Sequence, residues 1–83
     1  MQHARIVISP PSRGHAKFRF DLVDLDGPRR GQRLADLEVA AVSESPDLPP
    51  KPEQSSERDV RFRLREYGKR NGYEVVTDDD APV

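Results

Sequence analysis

The sequence contains no cysteine and no tryptophan, and it has one methionine among 83 residues. Without cysteine the chain forms neither disulfides nor thiolate metal sites, which favours a cytoplasmic location. Long apolar runs are also missing, since none approaches the roughly 18 residues of a membrane-spanning helix. The opening stretch "MQHARIVIS" is too short and too polar for a signal peptide. We therefore expect a cytoplasmic protein with no membrane segment.

The sequence also has no large excess of basic or of acidic residues. The chain has 14 basic and 15 acidic residues, so its net charge is -1 although 35% of its residues are charged. This balance argues against a general polyanion binder, which usually has a pI above about 9. Arginine outnumbers lysine 11 to 3. That ratio is typical of G+C-rich genomes, and we expect a bacterial or phage origin.

Large apolar residues are scarce. Leu, Ile, Val and Phe make up 19 of the 83 residues, just above the roughly 20% level below which disorder becomes the default. A chain this short buries only about 60% of its unfolded surface. We predict a single small domain over residues 1–83, with a core that has little redundancy.

The first half of the chain alternates apolar and polar residues, which predicts strands at 5–9 and 16–26. Pro10 ends the first strand because proline cannot donate to a ladder. The alternation of the second strand slips at Leu22 and Val23, and a slip of one residue indicates a β-bulge.

The segment 33–43 fits two structures. The alternation of Leu37, Val39 and Ala41 favours a strand at 36–43. The content of Ala, Leu and Glu favours a helix, although no capping residue precedes Leu34. We interpret the segment as a strand and keep a short helix at about 33–43 as the alternative.

The stretch "VRFRLR" alternates strictly from Val60. As a strand it buries Val60, Phe62 and Leu64 together, whereas a helix would expose Phe62 and forfeit about 1.5–3 kcal/mol of burial. We therefore predict a strand at 58–67, joined by a Gly- and Asn-containing loop to another at 73–77.

The remaining segments lack periodicity. Residues 45–57 are rich in Pro and Ser and read as a loop or tether. Within them, 46–52 match a pattern that docks into aromatic grooves, but such matches are frequent by chance in Pro-rich linkers and we interpret the stretch as a stiff spacer. Residues 78–83 form an acidic tail that we expect to be frayed.

Together these segments predict a mainly β protein with a small antiparallel sheet of about five strands, twisted or partly closed. The alternative is an α+β protein of order β-β-α-β-β with the helix at about 33–43. Both give the same predicted core: Ile6, Ile8, Phe18, Phe20, Leu22, Leu37, Val39, Val60, Phe62, Leu64, Tyr73 and Val75.

The predicted strand at 58–67 turns its arginines outward and forms a basic ridge that Lys17 and Arg19 would widen. We hypothesise that this ridge contacts a partner, because clustered cations repel one another unless carboxylates or a ligand offset them. The alternative is a solvated face whose arginines pair across strands with carboxylates. The proposed partner-binding residues are Arg61, Arg63, Arg65, Lys69, Arg70, Lys17 and Arg19.

Catalytic and metal-binding patterns are weak. Ser12 and His15 have no third group to orient them, and His3 and His15 have no further metal ligands. Three aspartates near the first turn lack the spacing of a calcium loop. These are Asp21, Asp24 and Asp26. We expect no enzymatic activity, no metal, no cofactor and no small-molecule substrate.

The expected function is therefore that of a small non-enzymatic interaction or regulatory protein, which binds another protein through a sheet face or edge. The alternative is a nucleic-acid-binding module that uses the ridge from Arg61 to Arg70 to track phosphates. A single-strand binder would also expose aromatic rings for stacking. The phenylalanines are instead predicted to lie in the core, which counts against that alternative.

Overall fold

The computed structural model describes residues 2–12 and 16–76. His15 and the predicted tail at 78–83 lie outside the described residues. The described elements are β1 (Gln2–Ser9), β2 (Lys17–Asp24), β3 (Arg33–Val42), β4 (Lys51–Pro52), α1 (Gln54–Arg70) and β5 (Tyr73–Val76).

The predicted class, mainly β with about five strands and partly closed, is confirmed. The strands form one sheet of order β4-β3-β2-β1-β5, curled into a half-barrel. Neighbouring strands are antiparallel except β5, which pairs parallel with β1. The sheet is therefore mixed rather than wholly antiparallel, because α1 carries the chain back across the sheet before β5 begins.

A bulge lies beside the predicted position, but it is on the neighbouring strand β3 and not on β2 as predicted. The register between β2 and β3 shifts between Leu22 and Val23, and the extra residue is Leu34 of β3. Because β2 itself keeps its alternation, the next residue on its buried face is Asp24 rather than Val23 or Leu25. Asp24 is fully buried, which the sequence pattern did not predict.

The strand interpretation of 36–43 is confirmed, and the helix at about 33–43 is wrong. β3 pairs with β2 so that Leu37 lies opposite Phe20 and Val39 lies opposite Phe18. Side chains directly opposite on antiparallel strands share a face and stabilise each other. Packing across the strands therefore outweighs the intrinsic helix propensity of the segment.

The strand predicted at 58–67 is wrong, because these residues lie within α1. The helix buries Val60, Leu64 and Gly68 at intervals of four, and Phe62 is left 60% exposed. The strand prediction assumed that a large apolar residue would not be left in solvent.

Local interactions favour this helix over the strand. The Glu53 side chain accepts hydrogen bonds from the Ser55 backbone N–H and from the hydroxyls of Ser55 and Ser56. The hydroxyl bonds from Ser55 and Ser56 hold the pKa of Glu53 below its ordinary 4.5. At the other end Gly72 adopts φ 83°, a conformation that glycine reaches without strain.

The segment 45–57 is only partly a loop. Lys51 and Pro52 form β4 and pair with Val42 and Ala41. Glu53 then caps α1, whose first turn begins at Gln54. The connection between β3 and β4 consequently spans 43–50.

The core lies between the sheet and α1. Two predicted members fall outside it: Ile8 is 36% exposed and Phe62 is 60% exposed. Ala4 was not predicted but is fully buried. The buried apolar residues are Ala4, Ile6, Phe18, Phe20, Leu22, Val39, Val60, Leu64 and Tyr73, with Leu34, Ala35, Leu37, Ala41 and Val75 packed against them.

Candidate functional site

The structure distributes the seven predicted partner-binding cations over separate surfaces. Lys17 and Arg19 alternate with the buried Phe18 and Phe20, so they lie on the sheet face away from α1. Arg19 Nε is 3.2 Å from Asp21 Oδ2, an ion pair within β2 rather than across strands, and Asp21 is buried. The other five cations are on α1.

Two of the α1 arginines are engaged with neighbouring carboxylates. Arg61 forms a 2.8 Å ion pair with Glu57, and its side chain is only 14% exposed. Its guanidinium also lies 5.4 Å from the centre of the Phe20 ring. Arg63 forms a 2.9 Å ion pair with Asp59 on the helix surface. Both pairs are i,i+4 contacts that stabilise the helix itself.

A different set of residues shares the outer face of α1. Arg58, Phe62, Arg65 and Lys69 follow one another at helical spacings of four, three and four residues. We call these four residues the outer stripe. Phe62 is the most exposed of the large apolar side chains described. Within the described part of the chain, no ion pair joins the three cations to a carboxylate.

A groove runs between the C-terminal half of α1 and β5. It has a volume of about 370 Å³ and is lined by Arg65, Lys69, Tyr73, Glu74 and Val75. Arg65 Nε is buried beside it and has no hydrogen-bond acceptor among the described residues. The outer stripe and the groove therefore share Arg65 and Lys69.

The close packing of α1 on β5 depends on Gly68. A Cβ atom at this position would lie 2.7 Å from Val75 Cγ2 and 3.5 Å from Leu22 Cδ2. Only a residue without a side chain lets the two backbones approach this closely. Gly68 consequently allows α1 to pack closely on β5 next to the groove.

Glu74 lines the groove but is already engaged with a histidine. Its carboxylate lies 3.5 Å from His3 Nε2, and His3 Nδ1 lies 2.8 Å from Asp26 Oδ2. The His3 backbone N–H also donates to Asp26. These bonds from the backbone and ring of His3 lower the pKa of Asp26 below its ordinary 3.8.

The three aspartates considered as a cation site point to different surroundings. Asp21 lies on the open sheet face beside Arg19 and Arg33. Asp24 is buried, and Asp26 contacts His3. Among the residues that the structure describes, no group of three or more His, Asp or Glu side chains is arranged to hold a metal ion.

Asp24 organises the turn between β2 and β3. Its carboxylate accepts hydrogen bonds from the backbone N–H groups of Gly27 at 2.6 Å and Arg29 at 2.8 Å. It also accepts one from the Tyr73 hydroxyl at 2.8 Å. Burial raises the pKa of Asp24, but these bonds together outweigh burial, so its pKa lies below the ordinary 3.8.

The proposed pairing of Ser12 with His15 has no described geometry, because His15 lies outside the described residues. Ser12 is exposed.

Sequence reasoning missed Arg58 and assigned Phe62 to the core. The signal that could have found both was present in the spacing of charges. Glu57 with Arg61 and Asp59 with Arg63 are acid–base pairs at i,i+4, which favour a helix. On a helix, the outer stripe follows directly from the spacing.

Comparison with protein-family models, with curated proteins and with solved structures found no match. Within residues 2–12 and 16–76, no helix has the length and apolar character needed to cross a membrane.

Proposed function

We propose that this chain is a small, non-enzymatic, cytoplasmic interaction protein that binds and regulates another protein through the outer stripe of α1. The observation that carries the proposal is the exposure of Phe62 between Arg58, Arg65 and Lys69. Burying a phenylalanine contributes about 1.5–3 kcal/mol, which a partner would recover on binding. Aromatic residues and arginine are also enriched at protein interfaces and among their energetic hot spots.

A nucleic-acid partner is supported less well. Arg61 and Arg63 already pair with carboxylates, and Lys17 and Arg19 lie on the opposite side of the sheet from α1. Phosphate tracking needs a continuous run of cations with several exposed aromatic rings. The outer stripe offers three cations and one ring.

The test is co-purification with full-length tagged protein from the source cells, compared between wild type and Phe62→Ser. Leu48→Ser is the matched control, because Leu48 is 48% exposed but lies in the connection between β3 and β4. We expect one set of proteins to be retained by wild type and Leu48→Ser and lost with Phe62→Ser. Nuclease treatment should leave the set unchanged.

Retention of the same proteins by Phe62→Ser would contradict the proposal. Loss of the set after nuclease treatment would instead favour the nucleic-acid alternative. Circular dichroism of both variants checks that the fold is unchanged, as the exposure of Phe62 and Leu48 predicts.

A further inference from the structure

We infer that the groove between α1 and β5 accepts an extended acidic segment of the partner protein, which adds to β5 as a further strand. This inference rests on the proposed function, because the groove and the outer stripe share Arg65 and Lys69. It also specifies what the outer stripe alone does not: the conformation of the bound segment and its charge.

The first argument is the position of β5 at the edge of the sheet. β5 pairs only with β1 among the described strands, so the backbone N–H and C=O groups on its other side have no strand partner there. An added peptide strand uses such groups for affinity and alternate side chains for specificity. A helix beside the edge strand supplies the second wall, and here that wall is α1.

The second argument is the unmatched positive charge beside the edge. Arg65 Nε is a buried donor without an acceptor in the described structure, and a buried unsatisfied donor is unfavourable. Lys69 is exposed and has no ion pair with a described residue. A carboxylate placed between them would form charge-assisted hydrogen bonds, which are stronger than neutral ones.

The third argument concerns the carboxylate that already lines the groove. Glu74 lies within 3.5 Å of His3 Nε2, so it is directed to β1 and does not neutralise Arg65. Tyr73 and Val75 share the face of β5 that packs toward α1, since Gln2 and Ala4 are their partners on β1. A bound strand would therefore place every second side chain toward Arg65 and Lys69. Those positions are predicted to be acidic.

The probe is a short fluorescent peptide of alternating glutamate and valine, titrated with the full chain and followed by fluorescence anisotropy. We expect Arg65→Gln with Lys69→Gln to weaken binding at least about tenfold. The matched control is Arg63→Gln with Arg70→Gln, which removes the same charge from the same helix outside the groove. It should change affinity less than about twofold. Equal weakening by the two double variants would overturn the inference, because only net charge would then matter.

Strand addition is tested by peptide chemistry. The same peptide methylated on the alternate backbone nitrogens that would face β5 should lose binding, because it cannot complete a ladder. A peptide with glutamine in place of glutamate should bind at least about tenfold more weakly. Undiminished binding of the methylated peptide would overturn strand addition.

The acidic tail of the chain itself is the competing occupant. The variant Asp78→Asn with Asp79→Asn and Asp80→Asn keeps the full length, and we expect it to bind the peptide as wild type does. Tighter binding by about tenfold would assign the groove to the chain's own tail and overturn the inference. If the peptide fails to bind while Phe62-dependent co-purification persists, the inference fails and the proposed function stands. If both fail, the proposed function fails too.

Discussion

The Tyr73 hydroxyl donates a 2.8 Å hydrogen bond to Asp24 Oδ2, and this contact joins residues 49 positions apart in the chain. The bond crosses β1 at its smallest buried side chain, because Ala4 lies opposite both Asp24 on β2 and Val75 on β5. It ties the last described strand to the turn that follows β2. This buried polar contact therefore adds to the ladder with β1 in holding β5 beside the groove.

Tyr73→Phe should lower the melting temperature although it removes only one oxygen atom. The Asp24 carboxylate would stay buried with two backbone donors and without its side-chain donor, and an unsatisfied buried acceptor is destabilising. Burial and the bond to Asp24 raise the pKa of Tyr73, so the phenol remains a donor at neutral pH. Thermal unfolding followed by circular dichroism measures the effect.

Tyr67→Phe is the control for that substitution. Tyr67 is 42% exposed, and its replacement should leave the melting temperature almost unchanged. If Tyr73→Phe and Tyr67→Phe unfold at the same temperature as the wild type, the Tyr73–Asp24 bond contributes nothing to stability.

The protein should lose stability in acid. The pKa values of Asp24, Asp26 and Glu53 are lowered on folding from ordinary values of 3.8, 3.8 and 4.5. At a pH between the folded and the ordinary pKa of each group, the unfolded chain therefore binds more protons than the folded one. Stability contributed by these groups is complete above their ordinary pKa and disappears as the pH falls through the folded pKa.

Denaturant midpoints measured against pH should accordingly begin to fall below about pH 5 and drop steeply below about pH 4. Asp26→Asn should be less stable than wild type at neutral pH. It should lose less stability on acidification, because one carboxyl group whose protonation favours unfolding has been removed. The same acid slope in both proteins would contradict this assignment.

Gly68→Ala should destabilise the protein, against the trend for helices. Alanine is favoured over glycine within a helix by about 1 kcal/mol, but here its Cβ would lie 2.7 Å from Val75 Cγ2. Overpacking of this kind costs about 1–3 kcal/mol, so we expect a net loss of up to about 2 kcal/mol. Chemical denaturation gives the free energy of unfolding directly.

A double-mutant cycle with Val75→Ala isolates the clash. In the Val75→Ala background the obstructing methyl group is absent, so Gly68→Ala should be neutral or stabilising. Equal effects of Gly68→Ala in both backgrounds would show that the loss of stability does not come from the contact between position 68 and Val75.

The first half of the fold was predictable because its side chains have one buried face and one exposed face. Pairings such as Phe18 with Val39 follow from alternation with period two. The slip at Leu22 indicated a bulge beside that residue but assigned it to β2, whereas the extra residue is Leu34 of β3. The second half was not predictable in this way. Val60 and Leu64 are buried in either structure, since their separation of four residues fits a strand face and a helix face equally.

The predicted arrangement of the arginines on one strand face is wrong for the same reason. Arg61, Arg63 and Arg65 share a face only on a strand, whereas on α1 Arg61 pairs with Glu57, Arg63 pairs with Asp59 and Arg65 lines the groove. Arg65 lines the groove, and a role for it in binding stays a prediction. The sequence prediction assigned Phe62 to the core, whereas Phe62 is 60% exposed. The local signals for α1 were short-range: the bonds of Glu53 and the turn at Gly72.

The last prediction separates the helix from the strand directly. Val60 is 7% exposed and Phe62 is 60% exposed, whereas a strand would bury both. Val60→Asp should unfold the protein, because an unpaired charge in the core costs on the order of 3 kcal/mol or more and a small domain has little stability to lose. Phe62→Asp should fold normally, since the aspartate would face solvent beside Arg58 and Arg65.

Two-dimensional NMR distinguishes the two variants. We expect dispersed amide signals from Phe62→Asp and collapsed signals from Val60→Asp. A collapsed spectrum from both variants would favour a strand at 58–67 over the helix, and the outer stripe would then not exist.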